Sequence, residues 1–511
     1  MPSHTHGPAG VDDTIPTSQG KPDFTIFQEL ARKGLTETLD AVRGTKVLVI
    51  DPALSSLISL VAEFSLLKDH GVERIFHIHP GRLETDNHSV LYLIRPNVQH
   101  AQWIADQVRD SNARGETREY TLYFCPRRTL VCDRILEEHG VLGDLTVGEF
   151  PMDFVPLEKD VATLGLDDCI RTLLVDDVPT SLFSMGRALM RLQAIHGFFP
   201  RIVGKGRTAK QLGDMLVRMR RELAVDEPMA AQSCTISQTI DTLIIIDRQV
   251  DLISPLCTQL TYEGLIDERY GIKNSLVEVD ANFSQTATST SSTSTNPTLA
   301  TKKKKIPLNS KDGLFAELRD LNFSVVGGWL HRAAKRINQD YEGRHQAKTI
   351  SQLRQFIGKL GNLQTEHQSL KLHTYLAEEL YKFTLTTAFN KNLEFEQTLM
   401  SGAQVPSNSA FTDYLDELLG KQAPLPQVLR LLCLQSLVNN GLKSKMYDYW
   451  RREIVQTYGY QHLITLERLA RLQLLVPNPN NARGHYNSLK KSLHLLVDDV
   501  DEVNPDDIAF V

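Results

Sequence analysis

The amino-acid sequence predicts an α/β protein with a large helical insert. Two observations support this fold class. Short β-branched runs alternate with amphipathic stretches in the first half of the chain, and strand signals nearly disappear between Gly271 and about residue 490. Such alternation is typical of parallel sheets covered by helices. With 511 residues, and ~150 residues in an average domain, the chain is expected to form about three domains.

The first α/β unit, domain 1, is predicted at residues 23–155, after a flexible N-terminus of residues 1–22. Its strands are predicted from four apolar runs, Lys46–Ile50, Arg74–His79, Val90–Ile94 and Tyr120–Phe124. His77 and His79 share one face of the second run, but no third ligand is spaced to complete a metal site with them. We therefore interpret both histidines as packing residues at the end of a strand.

The second α/β unit, domain 2, is predicted to be discontinuous, with residues 156–275 and 490–511, and to be incomplete at its C-terminal end. It begins with the strand-like run TLLVDD, residues 172–177, which an amphipathic helix follows. The run Thr242–Ile246 fits a strand that is buried on both faces of a parallel sheet. Strand-like character returns only in the last segments, from Ser492 onward.

Between the two parts of domain 2 lies domain 3, a helical region predicted at residues 276–489. It contains a helical hairpin at about residues 311–384 and a second helical part at about residues 385–489. A Ser/Thr-rich tract that runs into four lysines predicts a flexible, solvated loop at residues 284–305. Phosphorylation of this tract, or contact of its lysines with anionic lipid, is the functional alternative.

Composition and charge narrow the possible function classes. The net charge of −6 argues against nucleic acid as the main partner. The six cysteines are scattered without metal-ligand spacing, which predicts free thiols in a reducing compartment and no bound metal. The first residues lack the apolar core of a signal peptide, and no apolar run approaches the ~20 residues that span a bilayer. We therefore expect a cytosolic protein without a cofactor, which reaches membranes only through partners.

A charged turn follows the run Thr242–Ile246 and contains Asp247, Arg248 and Asp251. Ligands bind at the carboxyl ends of strands in open α/β sheets, so the two carboxylates could hold a metal or act as an acid/base pair. Alternatively, the three residues form an internal ion-pair network that shapes the turn. We favour the network, because neither a His, nor a Cys, nor a glycine-rich phosphate loop accompanies the two acids.

A basic segment, Gly204–Lys210 (GKGRTAK), is similar to a phosphate loop but lacks the upstream glycine that such a loop requires. We interpret this segment as a loop that opens a helix. Lys205, Arg207 and Lys210 could still bind an anion at the N-terminus of that helix, where backbone amides are unpaired.

The predicted hairpin carries apolar side chains in excess of what one helix pair needs. An a/d heptad stripe is formed by Ile350, Leu353, Ile357 and Leu360. Its register then turns polar at Gln364 and His367, which could fix the alignment of a partner helix. Four further apolar residues lie off this stripe, namely Phe323, Trp329, Phe356 and Leu363. The stripe could also do no more than pair the two hairpin helices, since every amphipathic helix buries one face.

The second helical part combines basic and aromatic side chains between Gly441 and Leu475. Aromatic residues interleaved with basic ones are typical of the centres of protein interfaces. They are equally typical of the cores of helical bundles. The composition of this segment therefore leaves both interpretations open.

The segment Ile246–Glu268, which we call the signature segment, resembles the signature of the Sec/Munc (SM) family of SNARE-binding proteins, in its vacuolar protein sorting branch. The resemblance is carried by six residues, Asp247, Arg248, Asp251, Pro255, Glu263 and Asp267. It extends to Leu122–Leu145, Pro200–Leu223 and Ser488–Val511, and it therefore spans nearly the whole chain.

This resemblance implies an arch-shaped fold of three domains, in which the hairpin is the platform that aligns SNARE helices. The hairpin residues that would bind SNARE helices are Phe323, Trp329, Arg332, Phe356, Leu360, Leu363, Gln364 and His367. The second helical part would bind the large subunit of the HOPS and CORVET tethering complexes. The residues implied there are Lys443, Lys445, Tyr449, Trp450 and Ile454.

The resemblance further implies a protein that is not an enzyme. It would template the assembly of SNARE complexes for membrane fusion at vacuoles, lysosomes or late endosomes, and would be peripheral on those membranes. Two alternatives remain at this point. One is an α/β anion-binding hydrolase that uses Asp247, Arg248 and Asp251, and the other is a scaffold subunit that binds its tethering partner but no SNARE.

Overall fold

The computed structural model describes residues 23–226, 235–280, 303–346, 350–401, 408–480, 484 and 486–492, and it describes residues 340–346, 350–360 and 408–409 without their side chains. The chain divides into two compact units. Unit 1 comprises Met1–Asp167 and Pro179–Asp247, and unit 2 comprises Asp168–Val178 and Arg248–Val511. The predicted flexible N-terminus, most of the predicted flexible loop and the predicted final strands lie outside the described residues.

Unit 1 contains a five-stranded parallel sheet with the strand order β2-β1-β3-β4-β5. The strands are β1 (Lys46–Ile50), β2 (Val72–His77), β3 (Ser89–Ile94), β4 (Glu119–Phe124) and β5 (Leu145–Glu149). The surrounding helices are α1 (Thr25–Asp40), α2 (Pro52–Val61), α3 (Phe64–Asp69), α4 (Val98–Ala113) and α5 (Leu130–Glu138). The four predicted strands are confirmed. The fifth was missed because LTVGE mixes polar residues and a glycine with only two apolar residues.

The centre of this sheet is built from β1 and β3, whose residues are all buried. Successive side chains of a strand point to opposite faces. Accordingly, Leu48 and Ile50 of β1 pack with α1 and α2, while Val47 and Val49 pack with α4. Helices therefore cover both faces of the sheet, as the unbroken apolar runs predict.

After β5, a small antiparallel hairpin is formed by β6 (Val155–Pro156) and β7 (Ala162–Thr163). The elements that follow in unit 1 are α6 (Thr180–His196), β8 (Arg201–Lys205), α7 (Arg207–Asp226) and β9 (Thr242–Ile246). Strands β8 and β9 form a second, two-stranded parallel sheet. The prediction that β9 is buried on both faces is wrong, because Ile244 and Ile246 are 65% and 69% exposed. Ile244 and Ile246 are two residues apart and share one face of β9, and the described residues leave that face uncovered.

Unit 2 is mainly helical, as predicted for the insert. Its helices are α8 (Tyr262–Tyr270), α9 (Gly313–Leu318), α10 (Phe323–Gln346), α11 (Ile350–Thr384), α12 (Thr387–Ser401), α13 (Asn408–Gly420), α14 (Leu425–Val438), α15 (Ser444–Tyr458), α16 (His462–Arg471) and α17 (Tyr486–Ser492). A small antiparallel sheet consists of β10 (Ile272–Lys273), β11 (Leu276–Asp280) and β12 (Lys303–Pro307). Residues 303–305, predicted in a flexible loop, therefore belong to a strand. They are ordered by pairing with β11, and Lys305 Nζ lies 3.5 Å from Glu278 Oε1.

Two further local predictions are wrong. The run TLLVDD does not form a strand, because Arg171–Val175 form one turn of π-helix. His77 and His79 are exposed and are not packed in the core. His77 ends β2, which is the edge strand of the five-stranded sheet, and His79 follows it, so neither side chain is enclosed by neighbouring strands.

A buried lysine links the first helices of unit 1 to its sheet. Lys46 begins β1 and is 2% exposed. Its ammonium group donates to the carbonyl oxygen of Leu39 at 2.7 Å and to that of His70 at 2.9 Å. These carbonyls lie at the C-terminal ends of α1 and α3, where backbone acceptors have no partner within their own helix. A cation at a helix C-terminus is also favoured by the helix dipole.

Replacing Lys46 with methionine, which nearly keeps the length of the side chain, should therefore remove this donor from both carbonyls, although the Leu39 carbonyl still accepts from the Val42 amide at 3.2 Å. We expect Lys46→Met to lower the free energy of unfolding by about 2 kcal/mol, the cost of leaving buried polar groups unpaired. Chemical denaturation measures this change. Lys33→Met is the control, because Lys33 is exposed and should change stability little. Equal stability of the two variants would show that the Lys46 contacts do not hold α1 and α3.

Candidate functional site

The predicted hairpin consists of three helices rather than two. Helix α9 ends at Leu318, and α10 begins at Phe323, after a break at which the Asn322 side chain accepts a hydrogen bond from the Ser324 amide at 3.0 Å. Helices α10 and α11 pack side by side, and Arg336 of α10 lies 3.9 Å from Glu366 of α11. The two long helices of the predicted hairpin are therefore present. The side chains of the heptad stripe, Ile350, Leu353, Ile357 and Leu360, and that of Phe356 lie outside the described residues, so its packing stays a prediction.

A groove of about 760 Å³ runs along one side of this helix pair. On α10 it is lined by Phe323, Ser324, Gly327, Leu330, His331 and Ala334. On α11 it is lined by Thr374, Ala377, Glu378, Tyr381 and Thr384. Leu260, Leu265, Asn322, Phe389 and Asn390 complete the lining at the base of the pair. We call this feature the hairpin groove.

The residue spacing explains why the groove forms. Its α10 residues recur at intervals of three and four, so they lie on one face of the helix, and the α11 residues do the same. Gly327, Ala334 and Ala377 are small and leave a channel between the longer side chains on either side. Between Phe323 and Ala334 the helix rises ~16 Å, so the groove is about three helical turns long.

The groove is bordered by apolar surface at one end. Tyr381 and Leu385 are 60% and 61% exposed, and both lie near the C-terminal end of α11. A concave, mostly apolar channel with a few polar groups along it is typical of surfaces that receive an amphipathic helix. The arrangement of the groove therefore suits binding of a helix.

Of the named hairpin residues whose side chains the structure describes, only Phe323 lines the groove. Leu363 is 7% exposed, so it belongs to the interior and is not available to a partner. Trp329 stacks on the Arg332 guanidinium at 4.3 Å, and neither residue lines the groove. Gln364 and His367 are exposed.

Sequence reasoning missed most of the lining because it looked for apolar residues. The groove is defined instead by residues that lack bulk, such as Gly327, Ala334 and Ala377. Small residues at helical spacing are a recognisable pattern, and this pattern could have indicated the groove. It would not have shown which side of the hairpin is open.

A buried polar network lies at the base of the hairpin. The Asp312 carboxylate caps α9 by accepting from the amides of Leu314 and Phe315 at 3.0 and 3.3 Å. The Ser369 hydroxyl donates to the same carboxylate at 2.6 Å, and His373 Nε2 lies 3.2 Å from it.

His373 is completely buried, and its Nδ1 atom lies 2.9 Å from the Tyr262 hydroxyl. Burial opposes ionisation of Asp312, but the hydrogen bonds from His373 and Ser369 outweigh it and lower the pKa of Asp312 to about 2. The network thus joins α8, α9 and α11 through one ionised carboxylate.

This network contains Ser, His and Asp, but it is not arranged as a nucleophilic triad. In such a triad the histidine must contact the serine hydroxyl and accept its proton. Here the Ser369 hydroxyl donates to both oxygens of Asp312, at 2.6 and 2.7 Å, and His373 contacts Tyr262 on its other side. The arrangement is therefore that of a structural anchor.

The first acid of the signature segment caps a helix. The Asp247 carboxylate accepts from the Thr208 amide at 3.1 Å, at the N-terminus of α7. Gly206 has a φ of +105°, and a Cβ atom on it would lie 2.3 Å from the Asp247 Cβ. The segment Gly204–Lys210 does open a helix, and the anion that Lys205, Arg207 and Lys210 could bind at its N-terminus is supplied in part by the Asp247 carboxylate of the chain itself. All three basic side chains are exposed.

The second acid of the signature segment shapes a turn. Asp251 Oδ1 accepts from the amides of Ile253 and Ser254 at 3.0 and 3.1 Å. Arg248 donates to the backbone carbonyl of Asp251 at 3.3 Å, and Pro255 lies in the short 3₁₀ turn that follows. Burial works against ionisation of Asp251, but hydrogen bonds from Ser254 and Ile253 and the charge of Arg248 leave the pKa of Asp251 below its ordinary value.

The other acids of the signature segment connect it to distant helices. Glu263 forms a two-bond ion pair with Arg319, at 2.8 and 3.0 Å, and Asp267 accepts from the Ile272 amide at 2.7 Å. Glu268, which sequence reasoning did not single out, forms a similar ion pair with Arg430 of α14. These contacts orient α8, and they give the three carboxylates a structural role.

Thr258 in the same segment anchors α12. Its amide and its hydroxyl donate to Glu396, at 2.8 and 3.0 Å. Glu396 is 3% exposed, and burial raises its pKa, while the hydrogen bonds from Thr258 act in the opposite direction. The two residues are 138 positions apart, so no local pattern predicts their contact.

The residues named for tethering-partner binding divide into two groups. Trp450 and Ile454 are 2% and 0% exposed and lie in the helical core, so they cannot contact a partner in this structure. The Tyr449 hydroxyl donates to Asp416 at 3.0 Å. Lys443 and Lys445 are exposed near the N-terminus of α15. The bundle-core interpretation is therefore correct for Trp450, whereas Tyr460 is 80% exposed.

Across the described ranges, no cluster of three or more His, Cys, Asp or Glu side chains could hold a metal ion. No helix in those ranges is long and apolar enough to cross a membrane.

Comparison with known proteins links this architecture to one family. The model described as "Sec1 family" matches residues 46–511. The chain is 38% identical over 496 residues to vacuolar protein sorting-associated protein 33A of Rattus norvegicus, which covers 97% of this chain and 81% of that protein. It is 36% identical over 498 residues to the vacuolar protein-sorting-associated protein 33 homolog of Arabidopsis thaliana, with 97% and 80% covered.

Solved structures show the same fold. The SM protein Vps45 in complex with the Qa SNARE Tlg2 is similar with a TM-score of 0.53 and 18% identity, over 91% of this chain and 80% of that chain. The Unc18–syntaxin 1 complex from Monosiga brevicollis is similar with a TM-score of 0.54 and 18% identity, over 90% and 81%. The fold class predicted from the sequence is confirmed.

The Asp312 network should make the base of the hairpin sensitive to acid. Because the pKa of Asp312 lies near 2 instead of 3.8, ionised Asp312 stabilises the fold fully above about pH 4, and this stabilisation is lost as pH falls towards 2. With allowance for partial solvent screening, it amounts to about 1–2 kcal/mol. Asp312→Asn should therefore lower the free energy of unfolding at pH 7, and the deficit should shrink by about half at pH 3.

Urea denaturation of wild-type protein and of Asp312→Asn at both pH values tests this expectation. Asp320→Asn provides the control, because Asp320 is exposed and close in sequence. A deficit that stays constant between pH 7 and pH 3 would show that the charge of Asp312 is not what holds the network.

Proposed function

The chain belongs to the Sec1 family, and we propose that it binds SNARE helices and templates their assembly for membrane fusion in vacuolar sorting. The family match and the relatives named for vacuolar protein sorting support this proposal. Proteins of the same fold have been solved with a Qa SNARE and with syntaxin 1.

The observation that carries the proposal is the hairpin groove itself. It is about three turns long, it is lined on both sides by residues at helical spacing, and its floor is made of small side chains. A helix of the partner can therefore approach the backbones of α10 and α11 closely. Apolar contacts along the groove would supply the affinity.

The action of such a groove is positional. A SNARE segment that is disordered in solution must lose conformational entropy before it can join a helical bundle. A rigid groove that holds the segment as a helix supplies this ordering in advance, so the next helix meets an aligned partner. Matching and mismatching polar groups along the groove would then decide which helices are accepted.

The vacuolar relatives also support a role within a tethering complex of the HOPS or CORVET type. In this proposal the protein is peripheral on vacuolar, lysosomal or late endosomal membranes and reaches them through its partners. The exposed Lys443 and Lys445 on α15 are the surface that we assign to the large tethering subunit, and the buried Trp450 and Ile454 support that surface from beneath.

The hydrolase alternative is weakened by the geometry of its proposed acids. Asp247 accepts from a helix N-terminal amide, and Asp251 accepts from two amides of its own turn. Carboxylates that are held in this way are poorly placed to act as a general acid and base. We therefore propose that the protein has no enzymatic activity. Direct capture of SNARE helices distinguishes the template from a pure scaffold subunit.

Filling the groove tests the proposed binding site. A Cβ atom on Gly327 would meet no atom within 4 Å, so Gly327→Trp should fold while its indole occupies the groove. We expect this variant to bind isolated SNARE cytosolic domains at least about tenfold more weakly, since tenfold corresponds to about 1.4 kcal/mol of lost contacts.

Gly328→Trp is the matched control, because Gly328 has equally open surroundings but does not line the groove. It should bind as the wild type does. Isothermal titration calorimetry measures both affinities, and thermal unfolding shows that both variants fold. If Gly327→Trp binds SNARE domains with wild-type affinity, the groove is not the binding site.

Charge reversal tests the tethering surface separately. Lys443→Glu combined with Lys445→Glu should weaken co-purification with the large tethering subunit and should slow association at low salt, because exposed charges mainly steer encounter. SNARE binding in the groove should be unaffected. Lys311→Glu, at another exposed lysine, is the control. Unchanged association kinetics would remove α15 from the proposed interface.

A further inference from the structure

The hairpin groove contains one unusual polar group. Among the described residues that line it, Glu378 is the one carboxylate, and its neighbours on α11 are Ala377 and Tyr381. Opposite, on α10, the lining includes Leu330 and His331. A negative charge therefore lies beside a mostly apolar channel.

The basic residues near Glu378 in the chain make their close contacts with other groups. Lys382, one turn further along α11, lies 2.6 Å from Glu379 and interacts with Glu378 only through its charge. Arg269 stacks on the rings of Phe383 and Tyr270, at 5.6 and 5.8 Å. Within the part of the chain that the structure describes, Glu378 forms no ion pair of its own. Its carboxylate is thus available to a molecule that enters the groove.

An occupant would remove water from this carboxylate. A charge that loses water without gaining a partner is costly, whereas a charge that meets an opposite charge can recover that cost. A helix that brings an acidic residue to this position is repelled, and a helix that brings a lysine or arginine is favoured. Glu378 therefore discriminates between helices whose apolar faces are alike.

We propose that the hairpin groove selects an amphipathic helix that carries a lysine or arginine beside the middle of its apolar stripe. The inference rests on the proposed function and specifies the partner that the same site accepts. Glu378 lies four residues after Thr374 and six before Thr384, which are the two ends of the α11 lining. At 1.5 Å per residue, the cation is expected roughly 6 Å from one end of the bound stripe and about 9 Å from the other.

The Ser/Thr-rich tract of this chain does not have the required chemistry. Residues 284–300 read SQTATSTSSTSTNPTLA, which contains no basic residue and no apolar stripe. A separate helix with a basic flank is thus the occupant that the charge of the groove fits.

Two synthetic peptides test the inference on the full chain. Both are amphipathic helices of about four turns with the same leucine stripe, and they differ only in one flanking residue at mid-stripe, which is lysine in one and glutamate in the other. At low salt, wild-type protein should bind the lysine peptide roughly tenfold more tightly than the glutamate peptide, because a favourable pair replaces a repulsive one. At high salt the ratio should fall, since exposed charges are screened.

Substitutions of Glu378 test whether this side chain discriminates between the lysine peptide and the glutamate peptide. Glu378→Gln should reduce the ratio between the two peptides to about twofold or less, and Glu378→Lys should reverse the preference. Glu366→Gln is the matched control, because Glu366 is an exposed glutamate of the same helix that pairs with Arg336 instead of lining the groove. It should keep the wild-type ratio. Fluorescence anisotropy of labelled peptides measures all these affinities.

The outcomes separate the inference from the proposal on which it rests. If both peptides bind equally well to wild-type protein and lose affinity in Gly327→Trp, the groove binds helices but Glu378 does not select them. If binding is the same in Gly327→Trp as in the wild type, the groove itself is not the site. A concentration-dependent dimer that disappears in Gly327→Trp would assign the groove to a second copy of this chain and would also overturn the inference.

Discussion

The ionised carboxylate of Asp312 is the contact on which the geometry of the hairpin depends. It caps α9, accepts from Ser369 of α11 and lies against His373, which in turn contacts Tyr262 of α8. Three helices are thereby fixed to one another beside the Thr374 end of the groove. The groove is about three turns long, so a small rotation of α11 at this point would open or close its whole length. A template must hold its shape before the partner arrives, and this anchor supplies that rigidity.

The sequence was sufficient to predict the main elements of the fold. The runs that became β1, β3 and β4 are mostly apolar on both alternations, since helices cover both faces of their sheet. Prediction from the sequence failed where the tertiary surroundings of a segment differ from those that its residue pattern indicates. The apolar run of β9 is the clearest case, because the same pattern that marks a buried strand here leaves Ile244 and Ile246 exposed. The periodicity of a segment shows which of its side chains could be buried. Whether other elements cover those side chains depends on the tertiary structure.

The candidate site was less predictable, for two physical reasons. Ion pairs such as Glu268 with Arg430 join residues that are 162 positions apart, so no local spacing reveals them. A groove, moreover, forms where side chains are small. Phe323 was identified because it is large and apolar, whereas Gly327, Ala334 and Ala377 form the channel because they are small. Searching for surplus apolar bulk led to Leu363 and Trp450, which are buried and stabilise the helical core instead.

The size of the groove also limits how tightly it can bind. Three turns of helix bury far less surface than the extensive interfaces of permanent complexes. The binding free energy of such a short contact is further reduced by the entropy cost of ordering a flexible segment. Tight binding would not help a template, because a partner held equally well before and after assembly is not driven forward. A short apolar channel with one discriminating charge, Glu378, matches this requirement. In the proposed function, the groove recognises a helix, aligns it, and leaves the remainder of that helix free to join the bundle that replaces the template.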